Sequence, residues 1–430
     1  MSPSNPDLSL ISASQLSHAR TDLIAESAEG RSYNQFDQTL ALVHDWCPSW
    51  RGGERLLSSL VGITGCRDIF TLFDFLDAEI KTAYFQGVNF HTSPVNRWPF
   101  IKKYYRSTFP ICPFLIEQFN VTAFDAVISS SSAFARGIVT RPDQPHLCYV
   151  HTPIRYAWDE QFSYLELSRL GYGPKGLTYR WMLHNLRIWD ARTAHGPDLM
   201  LANSSYVRAR IKQIYGLDAR RVFPPVAVHN FTLLDQKDDY FVTASHFAPY
   251  KRTDLVIKAF NEMPSRRLIV VGKGQQSQEL RKIAGPNISF TGYLPDVTYQ
   301  ETIGRARAFV FAGCEDFGIA MAEAQSAGTP IIAFGRGGAT DIVAPLGSSP
   351  QPTGVLFKRQ TSQSIIESVE YFEANKMAIS PSACRNNSMR FAPERFRREI
   401  LQALDDAKSI NARRLTQYPA VTSHQDRYSQ

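Results

Sequence analysis

Glu315 and Glu323 are separated by seven residues in the stretch GCEDFGIAMAEAQSAGTPIIAF, and Phe317, Gly318 and Ile319 lie between them. A short apolar run, Val310 to Ala312, reads as a buried strand ending in Gly313. The small-residue segment after Gly318 is rich in helix formers until Gly328 and Pro330 stop it, and Ile331 to Phe334 reads as the next strand. Backbone N–H groups at such a helix start lack partners and favour anions. A diphosphate can therefore dock at Phe317, Gly318 and Ile319, with no side chain on Gly318 to hold it off. Carboxylates repel phosphate, so Glu315 and Glu323 are expected to accept hydrogen bonds from sugar and ribose hydroxyls instead. An ordinary strand-to-helix corner with solvated acids is the competing reading.

Other chemistry-bearing residues sit at similar places. Lys251 precedes a helix whose apolar face is Leu255, Val256, Ala259 and Phe260, which puts an ammonium beside a second anion site; a solvated lysine is the plain alternative. His151 follows the strand-like run His146 to Val150, at the sheet edge where open α/β sheets collect ligands. Gly52 and Gly53 end the stretch after a first strand near Thr39 to Val43, either as a close-approach point or as a plain turn. Gly272-Lys273-Gly274 after Leu268 to Val271 begins like a dinucleotide fingerprint, but Ser277 takes the third glycine's place.

These positions need a scaffold of strands feeding helices. With 430 residues the chain exceeds one ordinary core, so two domains are expected. A formal charge of +7 favours anionic partners, yet no dense basic run points to nucleic acid. The six cysteines show no metal-ligand or CxxC spacing and read as buried thiols of a reducing compartment. No basic start with an apolar core opens the chain and no eighteen-residue apolar run occurs, so the expectation is a protein neither secreted nor membrane-spanning. Residues 97–109 interleave Arg97, Lys102, Lys103 and Arg106 with Trp98, Phe100, Tyr104, Tyr105 and Phe109 at helical spacing. That pattern suits an anionic membrane surface or, equally, a half-buried helix with solvated charges.

Taken together, EDFGIAMAEAQSAGTPIIAFGRGGA, HTPIRYAWD and APYKR resemble retaining family 4 glycosyltransferases, in particular the bacterial exopolysaccharide and O-antigen mannosyltransferase-like branch. The resemblance implies the α/β GT-B fold, two doubly wound Rossmann-like domains facing each other across a cleft. Its expected parts are a mobile tail over 1–38, an acceptor-binding domain over 39–222, a nucleotide-sugar-binding domain over 223–385, a returning helix over 386–410 and a loose tail over 411–430. It also implies roles: His151 against the donor sugar, Lys251 on the diphosphate, Glu315 on sugar hydroxyls, and Glu323 on the ribose. Gly52 and Gly53 would face the diphosphate and acceptor, while Gly272 joins the donor-binding positions and Tyr293 with Leu294 would cover the base. One departure is His246, which stands where the family commonly has an arginine diphosphate contact; a neutral imidazole offers one donor in place of a guanidinium fork.

The implied reaction is hexosyl transfer with retention, without metal or other cofactor, from a nucleotide diphosphate sugar such as GDP-mannose. The implied acceptor is a polyprenyl-diphosphate-linked saccharide, met by an enzyme peripheral on the inner face of the cytoplasmic membrane. A UDP-sugar donor, a GT-B phosphorylase or epimerase, and a non-catalytic nucleotide-sugar binder stay open. A nicotinamide enzyme is disfavoured by Ser277.

Overall fold

Strand β1, Leu40–His44, is buried along its whole length, as are β4, Ala126–Ser131, and β5, His146–Val150. Strands buried from end to end in this way belong to parallel sheets covered on both faces. The computed structural model describes residues 39–167 and 170–417, so the tail expected over 1–38 and the end beyond 417 lie outside the described residues. The first sheet adds β2 (Asp68–Thr71), β3 (Asn89–Thr92), β6 (Leu199–Ala202) and β7 (Arg220–Arg221) in the order β3-β2-β1-β4-β5-β6-β7. The second contains β8 (Phe241–Ala244), β9 (Leu268–Val271), β10 (Ile288–Gly292), β11 (Phe309–Phe311), β12 (Ile331–Phe334) and β13 (Gly354–Phe357), in the order β10-β9-β8-β11-β12-β13. All the strand pairs run parallel.

Strand order reverses twice, between β1 and β4 and between β8 and β11. At such points the helices leave in opposite directions and open a crevice at the strands' C-terminal ends. His44 pairs in register with Ser130 at the first reversal. Ser245 and His246 follow β8 at the second, and Gly313 to Glu315 follow β11.

The last helix, Pro393–Gln417, ties the two domains together. Phe391 lies in the second domain's core, whereas Phe396, Ile400, Ala403, Leu404 and Ala407 pack with Leu147, Tyr149 and Leu201 of the first. Its helical pattern persists to Gln417, beyond the end expected near 410, because Asn411 donates to Pro142 O at 3.1 Å and Arg414 pairs with Asp198 at 3.0 Å.

Residues 97–109 do not form one amphipathic helix. They make a 3-10 turn (Pro94–Arg97), a four-residue helix (Ile101–Tyr104) and a second 3-10 turn (Tyr105–Thr108), with Phe100 in the left-handed region at φ 62°. Tyr105 and Phe109 turn inward against Trp46, Phe73 and Tyr179, while Trp98, Phe100 and Tyr104 stay exposed. Five cysteines are buried as expected; Cys314 is only half-buried, since it lies on the loop that follows β11.

Candidate active site

On the first domain, the switch point brings two imidazoles to one hydroxyl. His44 Nδ1 lies 3.1 Å from Ser130 Oγ and 3.1 Å from the Ser130 carbonyl oxygen, and His151 Nε2 lies 2.8 Å from the same Oγ. The Asp45 carboxylate accepts from the backbone N–H groups of Ser132, Ala133, Phe134 and Ala135, which clamps the loop that carries on from Ser130. Asn203 donates to the His151 carbonyl at 2.9 Å. Burial lowers the pKa of His44, and burial followed by the nearby His44 lowers that of His151 to about 3, so both rings are neutral at physiological pH.

On the second domain, Gly318 caps the helix Ile319–Ser326 at φ 102°, a backbone region that side chains rarely adopt. A Cβ there would press on the movable Met321 Cε and lie in ordinary contact, 3.9 Å, with Glu315 Oε2, so it is the backbone conformation that calls for glycine. Gly338 donates to the Glu315 carbonyl at 2.8 Å and holds the turn from beneath. Glu315 forms an ion pair with Lys251, with each side chain about four-fifths buried. The two residues assigned separately to sugar and diphosphate are thus partners in this structure. Glu323 accepts from the Tyr299 hydroxyl at 2.9 Å, and Arg55 of the first domain reaches within 4.0 Å of its other oxygen. Burial, reinforced by Asp296, raises the Glu323 pKa against the opposing pull of Arg55 and Tyr299.

The two halves meet where the glycine pair predicted a close approach. A Cβ on Gly52 would lie 3.2 Å from Ile319 Cδ1, and one on Gly53 would lie 3.6 Å from His44 Cε1. His44, the glycine pair and the second domain's helix start thus form one stack. Nearby, Asp316 pairs with Arg155 at 2.7 Å and Arg210 at 3.5 Å, and Asp341 accepts from Ser205 N at 2.6 Å and pairs with Arg221 at 3.2 Å. These acids clasp the first domain from the second.

The remaining donor-side positions divide. His246 is exposed, and burial together with Arg51 and Lys251 lowers its pKa. Gly272, at φ 126°, donates to the Gly292 carbonyl at 2.8 Å, and a Cβ would strike the Ser245 carbonyl, so its role in the fold is a close backbone crossing. Tyr293 is exposed, and Leu294 is half-buried against the second domain's core. Ser277 Oγ donates to the Gly274 carbonyl at 2.7 Å and accepts from its N–H at 2.9 Å, closing the turn a third glycine would leave open. Sequence reasoning passed over His44, Asp45, Arg55 and Tyr299, although His44 and Asp45 at the end of β1 satisfied the rule that singled out His151. Among the described residues no cluster of three or more His, Cys, Asp or Glu is arranged to hold a metal ion.

Two parallel-sheet Rossmann-like domains facing across a cleft define the GT-B fold. Residues 227–391, which hold the second domain's sheet, match the family described as Glycosyl transferases group 1. A Corynebacterium glutamicum protein named GDP-mannose-dependent monoacylated alpha-(1-6)-phosphatidylinositol monomannoside mannosyltransferase is 29% identical over 183 residues, covering 34% of this chain and 47% of that protein. The chain therefore spans about half the length of this curated relative. Among solved structures, Anabaena Alr3699/HepE in complex with UDP-glucose superposes with a TM-score of 0.61 at 17% identity, covering 85% of this chain and 99% of that one. The lipopolysaccharide outer core galactosyltransferase WaaB gives 0.57 at 15% identity over 86% and 99%.

Proposed function

We propose that this protein is a retaining glycosyltransferase that moves a hexosyl group from a nucleotide diphosphate sugar to a lipid-linked saccharide. The observation that carries the reading is the Glu315–Lys251 pair beside the Gly318 helix start, facing His44 and His151 across a seam closed by the Gly52–Ile319 approach. A diphosphate arriving at the helix start takes the Lys251 ammonium and frees the Glu315 carboxylate for sugar hydroxyls. Charge grows on the diphosphate as the glycosidic bond breaks, and Lys251 with the N–H groups beyond Gly318 meets it in a dry cleft. Glu323 holds the ribose, His151 bounds the sugar, and Tyr293 covers the base. His246 adds at most one hydrogen bond to the diphosphate where a guanidinium would add a fork. The departing phosphate, on the retaining face, accepts the proton of the attacking hydroxyl.

GDP-mannose is the first donor to test, supported by the branch resemblance and the named activity of the Corynebacterium relative. A uridine nucleotide is the second reading, because a structural neighbour was solved with UDP-glucose. The acceptor reading is a polyprenyl-diphosphate saccharide met at an anionic membrane. Purified protein incubated with radiolabelled GDP-mannose, UDP-glucose or UDP-galactose and membrane lipid extract tests the whole reading, with EDTA added to a parallel set. The expected result is EDTA-resistant transfer of label from one nucleotide into the organic phase. In a further set with inorganic phosphate added, label appearing as sugar phosphate would replace transfer with phosphorolysis. Tight nucleotide binding without product would leave a sensor.

A further inference from the structure

The hydrogen bonds around Ser130 determine where the protons of His44 and His151 sit. A carbonyl oxygen only accepts, so His44 Nδ1, 3.1 Å from the Ser130 carbonyl, carries its ring's proton. Being neutral, that ring keeps a bare Nε2, on the edge that faces Gly53, 3.8 Å from where a Cβ on that glycine would sit. The Ser130 hydroxyl, which already accepts from His44 Nδ1 at 3.1 Å, has His151 Nε2 at 2.8 Å as its acceptor. When the hydroxyl donates its proton there, His151 Nε2 is bare and the ring's proton is on Nδ1. Neither His44 Nε2 nor His151 Nδ1 hydrogen-bonds to any group among the described residues. The two rings are 6.4 Å apart between centroids and nearly perpendicular, a separation one hexose can bridge.

We propose that Ser130 is a positioning residue that fixes both tautomers, so that the first domain offers one acceptor, His44 Nε2, and one donor, His151 Nδ1–H, to two hydroxyls of the transferred sugar. This rests on the donor reading above, with the nucleotide held by the second domain. A hexose hydroxyl can either donate or accept, so a fixed donor and a fixed acceptor bind it in one orientation and disfavour a sugar whose hydroxyl is missing or inverted. The register partnership of His44 with Ser130 builds the device into the sheet.

The tautomers are read directly by long-range proton–nitrogen NMR on the full chain, with His44→Gln and His151→Gln assigning the two signals. Wild type should show both rings protonated at Nδ1. In Ser130→Ala, His151 should shift to the Nε2-protonated form while His44 stays, and Ser130→Thr should restore the wild-type pattern. Calorimetry with GDP and with GDP-mannose, repeated with UDP and UDP-glucose, supplies the functional readout. Ser130→Ala should leave nucleotide affinity unchanged and weaken nucleotide-sugar affinity on the order of tenfold, because one sugar contact loses its matched partner. Nε2 protonation of either ring in wild type, or equal loss of nucleotide and nucleotide-sugar affinity in Ser130→Ala, would overturn the proposal. If wild type binds no nucleotide, the donor reading fails, and the sugar-recognition claim falls with it whatever the tautomers.

Discussion

Glu323 is a carboxylate at the edge of the cleft with one oxygen satisfied by Tyr299 and the other turned toward Arg55 across the seam. A ribose hydroxyl would bind it equally in the ground and transition states. Glu323→Ala should therefore raise the donor KM at least tenfold with a smaller change in kcat, read from steady-state kinetics at varied donor. Because burial raises its pKa, donor affinity should also fall as pH drops through that raised value, at a higher pH than an exposed glutamate would show. Lys251 is different, since its charge meets one that grows as the bond breaks. For Lys251→Ala, kcat should fall by on the order of tenfold or more together with affinity. The ion pair sharpens that expectation, because removing Lys251 leaves Glu315 uncompensated beside the diphosphate. Turnover at the wild-type rate would reduce Lys251 to a structural partner of Glu315.

At the scale of single elements, the helix Gly52–Thr64 carries a measurable titration. Glu54 is buried in its first turn, accepts from Arg51 N at 3.0 Å, and has its pKa raised to about 7, chiefly by burial. Between the ordinary value of 4.5 and about 7 the folded protein holds a proton that the unfolded chain has lost. Stability from this group is therefore present below 4.5 and declines as pH rises through the window, by up to about 3 kcal/mol. Glu54→Gln keeps the acceptor for Arg51 and removes the charge, so its urea midpoint, relative to wild type, should be higher at pH 8 than at pH 5. An identical pH slope in both proteins would show that Glu54 titrates as an exposed group. Sequence legibility follows the same division between local and distant causes. The turn and helix after Gly318, β12 and β5 were readable because apolar runs and stop residues act within a few positions. The meeting of His44 with Ser130, and of Arg155 and Arg210 with Asp316, links residues at least 86 positions apart, and no local pattern carries such pairs. The Lys251–Glu315 pair was missed for the same reason. In residues 97–109 periodicity misled outright, since alternating rings and cations look alike whether a ring anchors in the core, as Tyr105 does, or stands in solvent, as Phe100 does.

At the scale of the whole molecule, exposed apolar side chains gather in one part of the first domain. Trp98 is 55% exposed, Phe100 79%, Phe114 62% and Trp181 65%, and Lys102, Lys103 and Arg106 are exposed among them, Lys103 over the Tyr104 ring and Arg106 donating to the Tyr105 hydroxyl at 3.1 Å. Phe109 packs against Tyr179 with tilted rings 5.3 Å apart between centroids, and Glu117 accepts from Trp189 and pairs with Arg192, so the segment from Trp98 to Phe114 and the helix Pro174–Thr193 are one continuous region. The helix Pro174–Thr193 also carries Tyr179, Arg180, Trp181, Arg187 and Trp189, not all of which face outward. Tyr179 and Trp189 pack inward and Arg187 donates to the Ala157 carbonyl, while Leu177 and Ile188 join Trp181 on the outside. Among the described residues no helix is long and apolar enough to cross a membrane. The proposed lipid-borne acceptor makes this region the surface to test for attachment. Aromatic rings settle at headgroup level, and each nearby lysine or arginine contributes about 1 kcal/mol against an anionic leaflet. Reversing three charges with Lys102→Glu, Lys103→Glu and Arg106→Glu should therefore weaken binding to phosphatidylglycerol-rich liposomes by about a hundredfold or more at low salt. Co-sedimentation measures this, with phosphatidylcholine liposomes as the neutral control and Trp98→Ala with Phe100→Ala to isolate the apolar share. Wild type should sediment with anionic vesicles, lose that binding as salt rises, and bind neutral ones weakly. Equal sedimentation on both lipids, or no loss in a folded charge-reversed variant, would detach this region from any membrane and make a soluble acceptor the better substrate to pursue.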